Sequence, residues 1–311
     1  MPETSHHLSI LIPTYNDVCV GLVDSLSTLA CQTTGLTYEI LVADDGSTSS
    51  AVIEANQEIN AFPHARYILR KQNVGRSAIR NFLAQQAQYD LLLFIDSHMS
   101  VVNDSFLSDY LSYHDSQLVY GGYTVDATQE HKGNLRHAYE LSCIAAQDAS
   151  YRALSPYSNF HTSNFMIHRE VMLAYPLDER FRYYGYEDVL FGKQLKSAGI
   201  NITHINNPVG FARFEDNLRF VEKTEEGLQT LYAFQEELRG YSRLLTISER
   251  LRDNHLLRLF HMLHSCLGRP IRSNLIGRHP SLYLFKIYKL TYFSTLPYKR
   301  TPTRTHPAKT T

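Results

Sequence analysis

The chain has 311 residues, 43% of them apolar and 20% charged, and a formal net charge of −1. That is the composition of a globular protein, and it excludes low-complexity, fibrous and membrane-spanning classes, since no stretch approaches the length of a transmembrane helix. The near-neutral sum hides an asymmetry: residues 1–239 hold 17 basic and 29 acidic side chains, a net of −12, whereas residues 240–311 hold 13 and 2, a net of +11.

In chain order, residues 8–13 are an apolar run that predicts a strand. Residues 17–31 carry helical spacing through Val18, Leu22, Leu26 and Leu29. Residues 38–43 predict a second strand, followed by Asp44-Asp45-Gly46-Ser47-Thr48. A short helix over 52–59 and a strand over 66–70 lead to the turn Asn73-Val74-Gly75. A helix over 78–88 precedes the fourth strand, Leu91-Leu92-Leu93-Phe94-Ile95. Alternation of buried strands with amphipathic helices predicts an α/β fold with a mostly parallel sheet flanked by helices. In such sheets ligands bind beyond the carboxyl ends of the strands. The second half predicts strands over 118–125, 163–168 and 200–205, and helices over 134–150, 188–198 and 216–239. Past Gly240 the chain turns basic, helical and Tyr-rich, and residues 301–311 have a disordered composition.

Polar residues concentrate where the strands end. After the fourth strand come Asp96-Ser97-His98. Residues two apart in extended chain point to one side, so Asp96 and His98 can grip one cation together. An oxygen and a nitrogen donor suit Mn²⁺ or Mg²⁺ with positions left for phosphate oxygens, and a solvated strand-to-loop corner is the plainer alternative. As a strand-end acid, Asp96 is expected to contribute little to the core. Asp44 or Asp45 can accept from the donors of a nucleobase or ribose, or serve as a turn with a helix N-cap at Ser47 or Thr48. Arg76 and Arg80, four apart, share a helix face and suit a diphosphate or a base, or else a solvated surface. Glu187-Asp188 opens a helix, where the dipole keeps a carboxylate ionised. There it can take a proton from a hydroxyl, cap the helix, or do both. Tyr183, Tyr184 and Tyr186 offer flat faces for a sugar ring or for the core.

Four clusters in this order, Pro13-Thr14-Tyr15-Asn16, Asp44-Asp45-Gly46-Ser47, Asp96-Ser97-His98 and Tyr184-Gly185-Tyr186-Glu187-Asp188, resemble family 2 glycosyltransferases of the GT-A fold. The likeness spans roughly residues 8–230, and Asn73-Val74-Gly75-Arg76-Ser77-Ala78-Ile79-Arg80-Asn81 is similar to that family's link between third strand and following helix. It implies a GT-A domain over 1–239, with a nucleotide-binding half (1–115) and an acceptor half (116–239), then a basic helical extension (240–300) and a tail (301–311). The implied function is inverting, metal-dependent transfer of a sugar, of the hexosyltransferase type, from a nucleotide-diphosphate sugar, with UDP the commonest carrier, to a glycan or lipid-linked hydroxyl. Pro13, Thr14, Tyr15, Asn16, Asp44 and Asp45 then contact the donor, Asp188 is the base and Glu187 supports it or touches the acceptor. His161, Ser163 and Asn164 fall in the acceptor-side segment.

Two residues depart from the family pattern. His98 stands where a second acid is usual, in an Asp-x-His triplet that resembles polypeptide N-acetylgalactosaminyltransferases. Asn207-Pro208-Val209-Gly210-Phe211 puts Phe211 where many bacterial members carry a histidine ligand, and His204 precedes the Asn-Pro. A non-catalytic carbohydrate-binding relative therefore stays open. A sugar nucleotidyltransferase is disfavoured because residues 12–22 hold only Gly21, and a nicotinamide dehydrogenase because no G-x-G-x-x-G follows the first strand.

Cys19, Cys31, Cys143 and Cys266 have no metal or redox spacing, and Cys19 and Cys31 are expected to pack on one helix. The opening MPETSHH lacks signal-peptide character, so a cytoplasmic setting is expected. The basic tail suggests a polyanionic partner. It carries no nucleic-acid-binding motif, so no nucleic acid is expected. Residues 282–296 interleave lysines with apolar residues, which suits an interfacial helix on the inner face of the plasma membrane, or packing against the domain.

Overall fold

The computed structural model describes residues 5–127 and 129–296. Its first half is β1 (His6–Thr14), α1 (Val20–Gln32), β2 (Leu36–Asp44), α2 (Ser50–Gln57), β3 (Ala65–Leu69), α3 (Arg76–Gln86) and β4 (Leu91–Ile95). The second half runs β5 (Met99–Val101), α4 (Phe106–Leu111), β6 (Leu118–Tyr120), β7 (Tyr123–Thr124), α5 (Leu135–Cys143) and α6 (Ala149–Ala153). It continues with β8 (Asn164–His168), α7 (Arg169–Ala174), α8 (Glu187–Ser197), β9 (Ile202–His204), β10 (Val209–Phe211) and α9 (Asn217–Ala233). Three further helices close it: α10 (Arg243–Asp253), α11 (Leu257–Ile276) and α12 (Leu282–Thr295).

Seven strands form one sheet in the order β3-β2-β1-β4-β8-β6-β9. It is parallel through β3, β2, β1 and β4, and β8 runs antiparallel to both β4 and β6. A parallel sheet with helices on both faces buries its strands on both sides. Leu8, Ile10 and Ile12 of β1 accordingly enter the core beneath α1, while Leu11 enters the opposite one with Leu83 of α3 and Phe94 of β4. The period-2 geometry of the strand makes that division.

The expected strand over 118–125 is two strands in different sheets. Gly121 and Gly122 break it, and Gly122 has φ +83°, a conformation open to glycine at little cost. The second piece, β7, joins a small sheet ordered β5-β10-β7. The expected helix over 134–150 is α5, a 3₁₀ turn over Ile144–Gln147 and α6, because Asp148 is extended and caps a new start by accepting from Ser150 N. The expected long helix over 216–239 begins at the Asp216 cap and ends earlier, at Ala233. Cys19 is buried ahead of α1, whereas Cys31 is exposed at its end with Sγ 3.1 Å from the Tyr38 hydroxyl.

Beyond Gly240 the helices share one apolar core with α8 and α9. Phe285, Tyr288 and Phe293 of α12 meet Leu190, Phe220 and Leu231 there. Segment 282–296 is thus packed inside rather than laid on a surface. The tail expected over 301–311 lies outside the described residues. No described helix is long and apolar enough to cross a membrane.

Candidate active site

The ends of β1, β2 and β3 open on one side of the sheet and are laced together by short polar bonds. Asn16, with φ +50°, accepts on Oδ1 from the backbone N–H groups of Thr48 (2.9 Å) and Ser49 (3.1 Å), and its own N–H donates to Ser47 Oγ (2.7 Å). Thr14 Oγ1 donates to Asp17 O (2.9 Å). Asp44 is wholly buried; its two oxygens accept from Ser47 N (2.7 Å) and the Tyr67 hydroxyl (2.5 Å). Asp45 accepts from Val74 N and Gly75 N, each at 2.9 Å. Burial raises the Asp45 carboxyl, and those two N–H groups oppose the rise. Among the donor-side residues expected from sequence, Pro13 and Thr14 are the last two of β1, Tyr15 and Asn16 are exposed, and the polar atoms of Thr14, Asn16, Asp44 and Asp45 hold the rim.

Beyond β4 the chain is not extended as expected but closes a tight turn, Met99 N donating to Asp96 O (3.0 Å). Ser97 Oγ donates to Asp17 Oδ2 (2.6 Å). His98 follows in the same turn, near enough to Asp96 for the two to interact electrostatically. Asp96 Oδ1 is bound by the Arg80 guanidinium in a short ion pair. Arg80 is therefore neither solvated nor open to a ligand: it is buried, its Nη1 donates to Arg76 O (3.0 Å), and its Nε finds no partner. Burial alone would raise the Asp96 carboxyl, but the charges of Arg80, His98 and Arg76 hold it below its usual value. This pair also reverses the expectation that Asp96 matters little to the core.

His98 is driven down to about 4 by burial, against the pull of Asp96 and with the push of Arg136, Arg76 and Lys223. It is neutral at pH 7, and its Nε2 is buried with no hydrogen-bond partner among the described residues. A neutral imidazole with a free ring nitrogen beside an ionised carboxylate is the donor set a hard-to-borderline divalent cation accepts. No cluster of three or more His, Cys, Asp or Glu that could hold a metal ion exists among the described residues. Pairing of β5 with β10 sets Phe211 opposite Met99, with its ring 5.9 Å from that of His98. His204 stands apart: Nδ1 accepts from Arg152 (3.0 Å) and Nε2 donates to Pro156 O (3.0 Å). Asn164 is likewise spent, donating to Gly122 O and Asn207 O and accepting from the Tyr110 hydroxyl.

The third component is the start of α8. Gly185 (φ +93°) and Tyr186 (φ +68°) turn the chain into the helix. The turn packs on Gly227 of α9, whose Cα lies 3.4 Å from where a Cβ at 185 would stand. Glu187 points inward, its Oε1 3.5 Å from Arg76 Nη1 and its Oε2 buried without a partner. Burial raises the Glu187 carboxyl, opposed by Arg76. Asp188 points elsewhere: Oδ2 accepts from His161 Nδ1 (2.8 Å) and Oδ1 from Val189 N (2.8 Å). Burial lowers His161, but the hydrogen bond and charge of Asp188 prevail and hold it above its ordinary value.

One turn of α3 joins these pieces, Arg76 reaching Glu187 and Arg80 reaching Asp96. Arg76 also lies 4.6 Å over the Tyr184 ring. Arg136 of α5 and Lys223 of α9 complete a basic wall, tied down by Glu215. Sequence reading missed Arg136, Lys223 and Glu215, since single charges in amphipathic helices carry no motif.

The sequence matches the family model described as Glycosyl transferase family 2 over residues 9–175. The chain belongs to glycosyl transferase family 2. A chondroitin synthase of Pasteurella multocida (strain Pm70) is 26% identical over 225 residues, which cover 62% of this chain and 23% of that protein. An uncharacterized glycosyltransferase of Haemophilus influenzae is 31% identical over 97 residues, 31% of this chain and 38% of that protein. The chain thus spans a minor part of the curated relatives it matches. Among solved structures, S. aureus TarS 1-349 in complex with UDP superposes with a TM-score of 0.51 at 16% identity, covering 94% of this chain and 90% of that one. The mannosyltransferase PcManGT from Pyrobaculum calidifontis, in complex with GDP-Man and Mn2+, gives 0.55 at 11% identity, covering 94% and 85%. At these identities the likeness establishes the fold, GT-A.

Proposed function

We propose that this family 2 protein transfers a sugar from a nucleotide-diphosphate sugar to a hydroxyl of a glycan or lipid-linked acceptor, inverting the anomeric centre. The observation that supports the reading is the α3 bridge, in which Arg80 pairs with Asp96 after β4 and Arg76 pairs with Glu187 at the start of α8. The two structural neighbours, one in complex with UDP and the other with GDP-Man and Mn2+, support a nucleotide-sugar donor and a divalent ion. The chondroitin synthase relative supports a saccharide acceptor.

The donor lies across the strand ends, its nucleotide against the β1–β3 rim and its diphosphate toward Arg76, which is half-exposed and always cationic. Asp96 and His98 would hold Mn²⁺ or Mg²⁺, which would neutralise the departing diphosphate. Asp188 accepts the proton of the acceptor hydroxyl as that oxygen bonds to the anomeric carbon. The bond from that carbon to the diphosphate oxygen breaks on the opposite face, and one in-line displacement inverts the centre. His161 holds the Asp188 carboxylate in place. Glu187 keeps Arg76 turned inward.

A panel of nucleotide sugars with and without Mn²⁺, read by thermal shift and then by nucleotide release, tests this. Stabilisation by one donor together with its turnover supports a transferase. Stabilisation without release at any metal concentration would leave a carbohydrate-binding relative. The anomeric configuration of the product by NMR tests inversion.

A further inference from the structure

The extension buries α12 and leaves α11 half uncovered. Gly268, Ile271 and Leu275 form the inward face of α11, which Arg272 also pins to α9 through Glu225 (2.8 Å). The opposite face presents Leu259, Met262, Leu263, Cys266 and Leu267, spaced three and four apart, so they form one continuous stripe. Leu259 is 58% and Met262 62% exposed. Scattered exposed leucines mean little, but a contiguous apolar stripe on a folded surface marks a contact with something.

Charge says with what. Arg250, Arg252, Arg258, Arg269 and Arg278 are exposed and have no ion pair among the described residues. Asp253 is the one acid between residues 250 and 278. Arg258 and Arg269, eleven apart and hence three turns, line the same edge of the stripe. A second copy would bring together two arginine-flanked faces with no acid on α11 to pair with them, because a two-fold contact joins the same patch on both partners. An anionic bilayer satisfies both features, with apolar side chains at the acyl boundary and guanidinium groups at the headgroups.

We propose that the outer face of α11 docks on an anionic lipid bilayer. The proposal is independent of the sugar-transfer reading. It also gives that reading a geometry: α9, which holds α11 on one side, carries Lys223 and Gly227 against Tyr184 on the other, so the site keeps a fixed setting relative to the bilayer.

Co-sedimentation of the full chain with vesicles of phosphatidylglycerol and phosphatidylcholine, against phosphatidylcholine alone, is the test. Binding to the mixed vesicles that weakens with salt is expected. The triple variant Leu259→Ser, Met262→Ser, Leu263→Ser should bind at least about tenfold more weakly. Arg258→Gln with Arg269→Gln should lose about tenfold. Circular dichroism checks the fold of both variants, and nucleotide release in the same samples tests the transferase reading separately. No binding by the parent, equal binding by the variants, or a parent dimer in sedimentation velocity that the triple variant dissolves would each overturn the proposal.

Discussion

The rim formed by the β1, β2 and β3 loops and the junction between β4 and α8 use the same residue types, but their polar atoms end differently. On the rim, Asn16, Asp44 and Asp45 spend their acceptors on backbone or tyrosine donors. At the junction, His98 Nε2, Glu187 Oε2 and Arg80 Nε are buried without partners. A buried polar atom left unpaired costs free energy, so a folded protein tolerates it where a ligand completes the set. The rim's polar atoms are spent within the protein, whereas His98 Nε2 and Glu187 Oε2 at the junction are not.

Breaking the junction should have the largest effect. Asp96→Ala removes the proposed metal donor and leaves Arg80 buried and unpaired, so turnover should vanish and stability should fall by about 3–5 kcal/mol. Urea unfolding and nucleotide release measure the two losses. Asp96→Ala together with Arg80→Met should recover much of the stability and none of the turnover. If the single variant keeps the parent turnover, Asp96 is not part of the chemistry.

Asp188→Asn comes next. It should bind donor normally and lose transfer by roughly two to four orders of magnitude, the worth of a general base. Glu187→Gln should be milder. The reverse order of damage in single-turnover assays would exchange their roles.

On the rim, Asp45→Asn turns an acceptor into a donor facing Gly75 N. A loss of about 1–3 kcal/mol in unfolding is expected, with kcat of the folded fraction nearly unchanged. A large rise in donor KM without a stability loss would instead make Asp45 a ligand contact, as the family resemblance implies.

The smallest effect is in pH. His161 is held above its ordinary 6.5 by Asp188. Its contribution to stability is therefore complete below 6.5 and fades as pH rises through the raised value. His161→Gln should flatten the stability profile in that window. An unchanged slope in denaturation midpoints from pH 6 to 9 (roughly the range of a perturbed histidine) would remove this linkage.

Most of this architecture could be read from sequence because its signals are local. Residues 91–95 are a strand as expected, since an unbroken apolar run between turn residues leaves little choice. The small sheet escaped because β5, β7 and β10 have two or three residues each, too few for any period. The motif clusters were visible and their contacts were not. That Arg80 serves Asp96, and that Asp188 faces His161 while Glu187 faces Arg76, depends on how α3 and α8 cross the strand ends. Residues 257–276 and 282–295 are both apolar enough to be core or surface. Composition could not say which helix would be swallowed and which left outside.

Gly75 has φ +97°, and a Cβ there would fall 2.8 Å from the backbone of Arg182. Its N–H is held by Asp45 at the end of β2, and Arg182 leads within a few residues to Glu187. The loop after β3 and the loop leading to α8 thus meet backbone to backbone at Gly75, which the Asp45 carboxylate ties to the end of β2. A side chain larger than hydrogen at 75 would force the two loops apart, so this one residue sets how closely the rim and the start of α8 approach.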